Sequence, residues 1–258
     1  MGAVRALNDN AGVEAAFRNR PAGRRTADAS YDLATMVRSG TRRSLGGKSS
    51  VLRLAAAAAA GYVVGTTPSA DLASRIATGG AVDLRRAGTG NPGAVNAAAL
   101  LGRKWGYAVL AADTAKGAGA CMVGRRLAGD TGAHVSGTAA VVGHCYPLWN
   151  GFKGGKGVAV SLGQCAATFP LYAPLDVAVA WAVGRWRGRT LPGTAVASVA
   201  WVAAGVLWWR RGWPNPGGPR PGPALPVAAA VTSAVILRRF AGAARPVTPG
   251  IIPPASPS

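Results

Sequence analysis

Residues 143–157 of the chain read GHCYPLWNGFKGGKG, and two lysines stand there among glycines, between two apolar segments. A second glycine-rich stretch, residues 88–96 with the sequence GTGNPGAVN, lies upstream. Glycine runs let backbone N–H groups approach an anion closely, and the ammonium groups of Lys153 and Lys156 suit phosphate. We therefore expect the two loops to meet and bind phosphate. From this chemistry alone an alternative stays open, in which the glycines form tight turns and the lysines contact lipid headgroups.

The composition indicates a membrane protein. Hydrophobic residues make up 49% of the 258-residue chain and charged residues 15%, with a mean hydropathy of +0.20 and a net charge of +20. A soluble protein of that charge could bind nucleic acid. Here the charges form short clusters between long apolar runs, which is typical of a multispanning protein whose loops face anionic lipid headgroups. We expect a lipid bilayer as the partner and no nucleic acid.

Apolar runs of nearly spanning length predict an all-α, multispanning integral membrane bundle. We expect about seven transmembrane helices, because a span needs roughly 20 apolar residues. They are placed at residues 51–76, 105–123, 133–149, 158–168, 171–183, 195–209 and 224–237. The last runs are separated by prolines at 170 and 174, and residues 125–131 form a short turn.

Three regions follow from this pattern. Residues 1–50 are predicted to be a disordered basic extension, residues 51–240 the membrane domain, and residues 241–258 a disordered proline-rich tail. Within the membrane domain, residues 81–104 and 150–157 are predicted as glycine-rich loops that are re-entrant or cytoplasmic.

The distribution of Lys and Arg predicts the orientation. One side carries Arg85, Arg86, Arg103, Lys104, Lys153, Lys156, Arg185, Arg187, Arg189, Arg238, Arg239 and Arg245; the other carries fewer, Arg125, Arg126, Arg210, Arg211 and Arg220. The side richer in Lys and Arg is usually cytoplasmic. We therefore expect a protein of the cell (inner or plasma) membrane with both glycine loops facing the cytoplasm.

Several other motifs have a structural explanation. Asp113 and Lys116 lie at i and i+3 inside a predicted span, so we expect an internal ion pair rather than a substrate contact. The three cysteines have no zinc-site spacing, and we expect buried thiols and no metal. The G-x-G-x-x-G at residues 88–93 follows no apolar strand, which argues against a dinucleotide-binding fingerprint. His144 is a candidate base, although a structural histidine at a helix end is the alternative.

Four runs together resemble a known family. They are GYVVGTTPSADLASRI at 61–76, VDLRRAGTGNPGAVNAAALLGRKWG at 82–106, DTAKG at 113–117 and GHCYPLWNGFKGGKGVAVSLG at 143–163. In order and spacing they resemble the bacterial membrane acyl-phosphate:glycerol-3-phosphate acyltransferases. The resemblance implies a seven-helix enzyme that transfers an acyl group from acyl phosphate to the sn-1 hydroxyl of glycerol 3-phosphate, without acyl-CoA, metal or other cofactor. The product would be lysophosphatidate for phospholipid synthesis.

The resemblance also implies site residues. Thr89 and Asn96, in the first motif, are candidate catalytic residues. His144 is a third candidate, from its position before the second loop and not from the resemblance. The candidate substrate-binding residues are Gly90, Asn91, Gly93, Lys153, Gly154, Gly155, Lys156, Gly157, Thr190 and Arg238. No oligomeric state is implied.

Departures from the family pattern motivate an alternative function. Val95 and Ala99 stand where the family has Thr and Arg, and Arg239 and Gly242 stand where it has His and Asn. The alternative is a degenerate paralogue that binds a phosphorylated lipid or metabolite without turnover. A transporter is a more distant alternative, because no inverted repeat is visible.

Overall fold

The computed structural model describes residues 49–242. Almost all of the predicted extension and tail therefore lies outside the described residues, and the three-region division stays a prediction. Chain contacts define two units, Met1–Val51 and Leu52–Ser258, and apart from residues 49–51 the features below belong to the second. Every secondary-structure element in the described part is helical, which agrees with the predicted all-α fold.

Eight helices are defined in this part of the chain. They are α1 at 49–65, α2 at Ser69–Thr78, α3 at Ala94–Leu101, α4 at Arg103–Cys145, α5 at Val158–Thr168, α6 at Ala173–Arg187, α7 at Thr190–Arg211 and α8 at Ala224–Gly242, with a 3₁₀ turn at Leu148–Asn150. Pro174 lies in the first turn of α6, where its missing N–H costs no helical hydrogen bond, so it begins that helix rather than breaking it.

Three segments of the described chain are long and apolar enough to cross a membrane: Ser49–Thr78, Thr190–Arg211 and Ala224–Gly242. The first of these comprises α1 and α2 and is interrupted at residues 66–68. Helix α5 is apolar but has 11 residues. The predicted total of about seven membrane-spanning helices remains a prediction.

Helix α4 is a helical hairpin rather than one straight rod. Ala128 and Gly129 have non-helical backbone angles, with φ −140° and +65°. On either side of this turn, Gly124 and Gly132 approach each other so closely that a methyl group on either would meet the other's carbonyl. The reversal confirms the turn predicted at 125–131 and gives α4 two arms, residues 103–127 and 130–145.

Small residues let the helices pack closely around α4, which contacts α2, α3, α5 and α8. A methyl group on Gly117 would collide with the carbonyl of Val160 in α5, and one on Gly163 with the carbonyl of Thr114 in α4. Such close backbone approach is how membrane helices associate when lipid removes the hydrophobic driving force. It brings the start of α5 against the end of α4, where the second glycine loop lies.

A buried polar cluster joins three of these helices. The Gln164 side chain in α5 donates to Thr138 Oγ1 at 3.1 Å and accepts from Thr232 Oγ1 of α8 at 3.0 Å. Gln164 and Thr232 are both fully buried. Interhelical hydrogen bonds of this kind contribute about 1 kcal/mol each in membrane proteins. They hold α8 against the α4–α5 pair.

One predicted loop contains a helix. Residues 81–104 were expected to be a glycine-rich loop, but Ala94–Leu101 forms α3 within it. The sequence AVNAAALL is rich in Ala and Leu, which are strong helix formers. Gly93 has an extended backbone before the helix and Gly102, with φ +98°, follows it. The glycines therefore delimit a helix and leave a shorter loop at residues 79–93.

Candidate active site

The second loop, residues 146–157, folds back onto the end of α4. The N–H of Gly154 donates to the carbonyl of Cys145 at 3.1 Å, and the N–H of Gly155 donates to the carbonyl of His144 at 3.1 Å. A methyl group on Gly155 would collide with the His144 imidazole, and one on Gly154 with the His144 carbonyl. The two central glycines thus bring the loop within hydrogen-bonding distance of α4.

Lys156 and Gly157 follow this pair and lead into α5. Their N–H groups make no hydrogen bond to an acceptor within residues 49–242. The ammonium of Lys156 lies 4.5 Å from the ring centroid of Phe240. Desolvation, and then the nearby Arg239 guanidinium, lowers the pKa of Lys156 below its usual value. An anion at this point would meet free N–H groups, a cation and the positive end of the α5 dipole.

Asn96 organises the first loop. Its Oδ1 accepts a hydrogen bond from the Thr89 N–H at 2.9 Å, and its Nδ2 donates to the carbonyls of Leu84 at 2.9 Å and Ala87 at 3.1 Å. The side chain is 1% exposed. In this structure the amide holds the loop, and a direct catalytic role for Asn96 stays a prediction. The Thr89 side chain is exposed, so its hydroxyl is accessible to a ligand.

Arg85 joins the two loops. Its Nε donates to the carbonyl of Lys153 at 3.2 Å, and its Nη1 pairs with the carboxylate of Asp71 in α2. The expectation that the loops meet is therefore confirmed. Neither Arg85 nor Asp71 was among the predicted site residues. The sequence did contain a signal for this pair: Asp71 lies near the end of an apolar segment, where a carboxylate needs a positively charged partner.

A cleft of about 280 Å³ opens between the loops and the ends of α1, α2 and α4. This volume includes space that is open to solvent. Its lining residues are Gly65, Thr66, Thr67, Pro68, Ser69, Ala70, Asp71, Arg85, Pro92, Asp113, Lys116, His144, Pro147, Asn150, Gly154 and Gly155. Pro92 comes from the first loop and the final four residues come from the second, so both loops contribute to one wall.

Asp113 lies at the base of the cleft between a lysine and a histidine. Its Oδ1 is 2.8 Å from Lys116 Nζ and 3.8 Å from His144 Nδ1. Lys116 also donates to the carbonyl of Thr67 at 2.9 Å, which ties α4 to the break between α1 and α2. The predicted Asp113–Lys116 ion pair is confirmed. Because Asp113 balances the charge of Lys116, we assign this lysine to stabilising the wall of the cleft.

The two lysines of the second loop have no carboxylate partner among the described residues. Arg85 is paired with Asp71 and Lys116 with Asp113. Lys153 and Lys156 make no ion pair with a carboxylate of residues 49–242. The site therefore has net positive charge on the loop where glycines expose the backbone, as an anion site requires.

The predicted residues divide into two groups. The first group lies at or near the cleft. Three of its members line the cleft itself: His144, Gly154 and Gly155. The others lie in the loop that contributes Pro92 (Thr89, Gly90, Asn91 and Gly93) or next to the buried glycine pair (Lys153, Lys156 and Gly157). Thr190 and Arg238 are exposed and do not line the cleft. Residues 49–242 contain no cluster of His, Cys, Asp or Glu that could hold a metal ion. All three cysteines are free and buried, as predicted.

The sequence model of the glycerol-3-phosphate acyltransferase family matches residues 55–246, most of the chain. The chain belongs to this family. It is 40% identical over 153 residues to a glycerol-3-phosphate acyltransferase of Anaeromyxobacter dehalogenans, an alignment covering 57% of this chain and 74% of the relative. The predicted family and the predicted enzyme class, an acyltransferase, are confirmed.

Solved structures extend the similarity to the whole bundle. The crystal structure of PlsY (YgiH), an integral membrane glycerol 3-phosphate acyltransferase, in its glycerol 3-phosphate form superposes with a TM-score of 0.59 at 30% identity, covering 75% of this chain and 89% of PlsY. Its lysophosphatidic acid form gives the same TM-score at 28% identity, covering 72% and 87%. Together with the apolar helices, the similarity to PlsY confirms the integral membrane fold. It does not favour the alternative of a paralogue that binds a phosphorylated ligand without catalysis.

Proposed function

We propose that this protein transfers the acyl group of an acyl phosphate to the sn-1 hydroxyl of glycerol 3-phosphate. The hydroxyl oxygen bonds to the acyl carbon, the bond from that carbon to the phosphate oxygen breaks, and the hydroxyl proton is removed. The products are lysophosphatidate and inorganic phosphate. The observation that carries the proposal is the junction of the two glycine loops through Arg85 and the Lys153 carbonyl, beside a cleft with unbalanced positive charge. The ligand-bound forms of PlsY support the substrate and product.

The second loop binds the phosphate of glycerol 3-phosphate. Lys153 and Lys156 supply charge, and the N–H groups of Lys156 and Gly157 supply directed donors at the start of α5. Phosphate monoesters carry nearly two negative charges near neutral pH, so charge-assisted hydrogen bonds of this kind are strong. Because the GG pair is bonded to α4, the donors are positioned before the substrate arrives, and positioning is a large part of the catalysis of group transfer.

His144 accepts the proton of the attacking hydroxyl. It lines the cleft and its side chain is 10% exposed. Its Nδ1 faces Asp113 at 3.8 Å, and Nε2 is directed toward the Gly155 backbone of the loop that binds phosphate. A hydroxyl held by its own phosphate on that loop would lie near the imidazole. A positioned base of this type contributes roughly 10²- to 10⁴-fold to rate.

The first loop holds the acyl phosphate. Thr89 has an exposed side chain, and Asn91 lies two residues further along the same turn. Both side chains can donate hydrogen bonds to the leaving phosphate. Thr190 and Arg238, which lie outside the cleft, have no step in this scheme. The chemistry uses no metal or cofactor.

We place the active site on the cytoplasmic side of the plasma membrane. The helix ends and loops on the side of the site carry more Lys and Arg than the opposite ones, which is the usual bias of cytoplasmic loops. Acyl donors and glycerol 3-phosphate are then available from the same compartment, while the acyl chain lies toward the bilayer.

Donor specificity tests the proposal. Purified full-length protein in lipid nanodiscs would be given glycerol 3-phosphate with either palmitoyl phosphate or palmitoyl-CoA, and lysophosphatidate and free phosphate would be measured. We expect equal amounts of lysophosphatidate and phosphate with palmitoyl phosphate and no product with palmitoyl-CoA. Calorimetric binding of glycerol 3-phosphate without product from either donor would overturn the proposal in favour of the binding protein.

A further inference from the structure

Arg239, near the end of α8, is directed toward the second glycine loop. Its Nε donates to the carbonyl of Gly155 at 3.1 Å, and its Nη2 donates to the carbonyl of Gly154 at 2.6 Å. Its guanidinium carbon lies 5.3 Å from the centroid of the Tyr146 ring. The preceding Arg238 is exposed, so two consecutive arginines have different surroundings.

We propose that Arg239 is a positioning residue for acyl transfer, which holds the Gly154–Gly155 segment so that Lys156 and Gly157 face the substrate phosphate. The inference rests on the proposed function and adds a residue that sets the geometry of its phosphate site. Arg239 itself does not touch the substrate in this scheme.

The two glycines are bonded on both edges. Both N–H groups donate to carbonyls of α4, and both carbonyls accept from Arg239 of α8. The pair is therefore held by two different helices. Glycine has the largest conformational freedom of any residue, so an unbonded GG pair would sample many backbone conformations. Bonds on both edges restrict it to one.

Arginine is suited to this task. Its planar fork can donate two hydrogen bonds in fixed directions while one face stacks on an aromatic ring. The two carbonyls and Tyr146 occupy these positions around Arg239. A lysine would keep the charge but would lack the fork and the stacking face. A neutral side chain would offer the carbonyls of Gly154 and Gly155 weaker hydrogen-bond donors or none.

The next residue of α8 extends the contact. Phe240 is 9% exposed and its ring faces the Lys156 ammonium at 4.5 Å. The end of α8 thus contacts the loop from Gly154 to Lys156, on the side that carries Lys156. Gly155, which packs against the His144 imidazole, lines the cleft. Arg239 therefore acts on the phosphate site through the loop backbone.

The test compares Arg239→Gln and Arg239→Lys with Arg126→Gln, a substitution of an exposed arginine near the α4 turn. Full-length proteins in nanodiscs would be measured in two ways: hydrogen–deuterium exchange of peptides covering residues 151–157, and kcat and KM for glycerol 3-phosphate. We expect Arg239→Gln to speed loop exchange and to raise KM roughly tenfold or more, as for a lost charged hydrogen-bond donor. Arg239→Lys should lie between, and Arg126→Gln should match the wild type.

The outcomes separate the alternatives. Wild-type loop exchange in Arg239→Gln would overturn the inference. A raised KM with unchanged exchange would do the same, because it would make Arg239 a direct phosphate ligand. If Arg239→Gln does not fold, Arg239→Lys decides in the same way. A wild-type protein that forms no lysophosphatidate would instead overturn the proposed function, and the exchange data would still test the contact.

Discussion

Arg85 donates a hydrogen bond from Nε to the carbonyl of Lys153 at 3.2 Å, across 68 residues of sequence. The same guanidinium pairs with Asp71 at the start of α2. Arg85 therefore links the end of the first membrane segment to both glycine loops. The bond uses the backbone of Lys153, so the Lys153 side chain, which is exposed, stays available for an anion.

Removing this link should weaken substrate binding. We expect Arg85→Gln to raise KM for glycerol 3-phosphate about tenfold, because it loses a charged hydrogen bond to the loop and leaves Asp71 without its partner. Asp71→Asn should have a similar effect. The double variant should be no worse than either single one, since residues in one network are not additive. Steady-state kinetics of the three variants measure this.

The control for Arg85 is its neighbour. Arg86 has a side chain that is 89% exposed and pairs with Asp83 on the surface, an interaction worth about 0–1 kcal/mol. Arg86→Gln should leave KM unchanged. Equal effects of Arg85→Gln and Arg86→Gln would mean that the loop junction has no part in binding.

Gly155 should not tolerate alanine. The added methyl group would collide with the His144 imidazole, and either the loop or the histidine must move. We expect Gly155→Ala to lower kcat/KM by about 10²-fold, a loss of the size that a small misplacement of reacting groups causes. Gly119→Ala is the matched control, because a methyl group there would have no other atom within 4 Å and alanine favours helix. Activity of Gly155→Ala equal to that of Gly119→Ala would contradict the packing of His144 on the loop.

Asn96 should matter for stability as well as activity. Asn96→Ala leaves the carbonyls of Leu84 and Ala87 and the N–H of Thr89 without their partner. Each unpaired buried group costs about 1–3 kcal/mol. We expect a lower thermal unfolding midpoint together with reduced activity, whereas Val95→Ala, at a neighbouring position that is 74% exposed, should change neither. An Asn96→Ala protein with wild-type melting but no activity would instead support direct catalysis by Asn96.

Lys156 should set an alkaline limit on activity. Desolvation and the nearby Arg239 lower its pKa, so it loses its proton at a lower pH than an ordinary lysine. Phosphate binding is then complete below that lowered pKa and is lost as pH rises through it. In Lys156→Arg the cation persists to about pH 12 or above, so the alkaline fall of kcat/KM should move to higher pH. Lys104→Arg, which changes an exposed lysine, should not move it. An unmoved alkaline fall in Lys156→Arg would assign that limit to another group.

Local patterns in the sequence predicted the features that depend on near neighbours. The i,i+3 spacing of Asp113 and Lys116 predicted their ion pair, and the FKGGKG run predicted a loop with free donors. The link from Arg85 to the Lys153 carbonyl could not be predicted in this way, because a backbone acceptor has no side-chain signature and the partners are distant in sequence. Thr190 was expected at the site by resemblance alone, yet it lies exposed at the start of α7, outside the cleft.

The departures from the family pattern acquire a physical meaning at one position. The resemblance predicts a histidine at the position of Arg239, and the structure shows this arginine donating two hydrogen bonds to the glycine loop. Val95 is exposed on the first turn of α3 and Ala99 is exposed further along the same helix. Nothing in the structure explains those two replacements.

In the proposed reaction, Lys153 and Lys156 hold a substrate phosphate for acyl transfer. The most direct measurement is the rate of lysophosphatidate formation from acyl phosphate and labelled glycerol 3-phosphate by the Lys153→Ala/Lys156→Ala double variant. The matched control is an Arg210→Ala/Arg211→Ala variant, which removes two exposed cations from the end of α7. We predict a rate at least about 10²-fold below wild type for the lysine variant, as expected for two lost charged contacts to phosphate, and a near wild-type rate for the control. Equal rates in the two variants would contradict phosphate binding by these lysines, and no lysophosphatidate from the wild-type protein would contradict the proposed reaction.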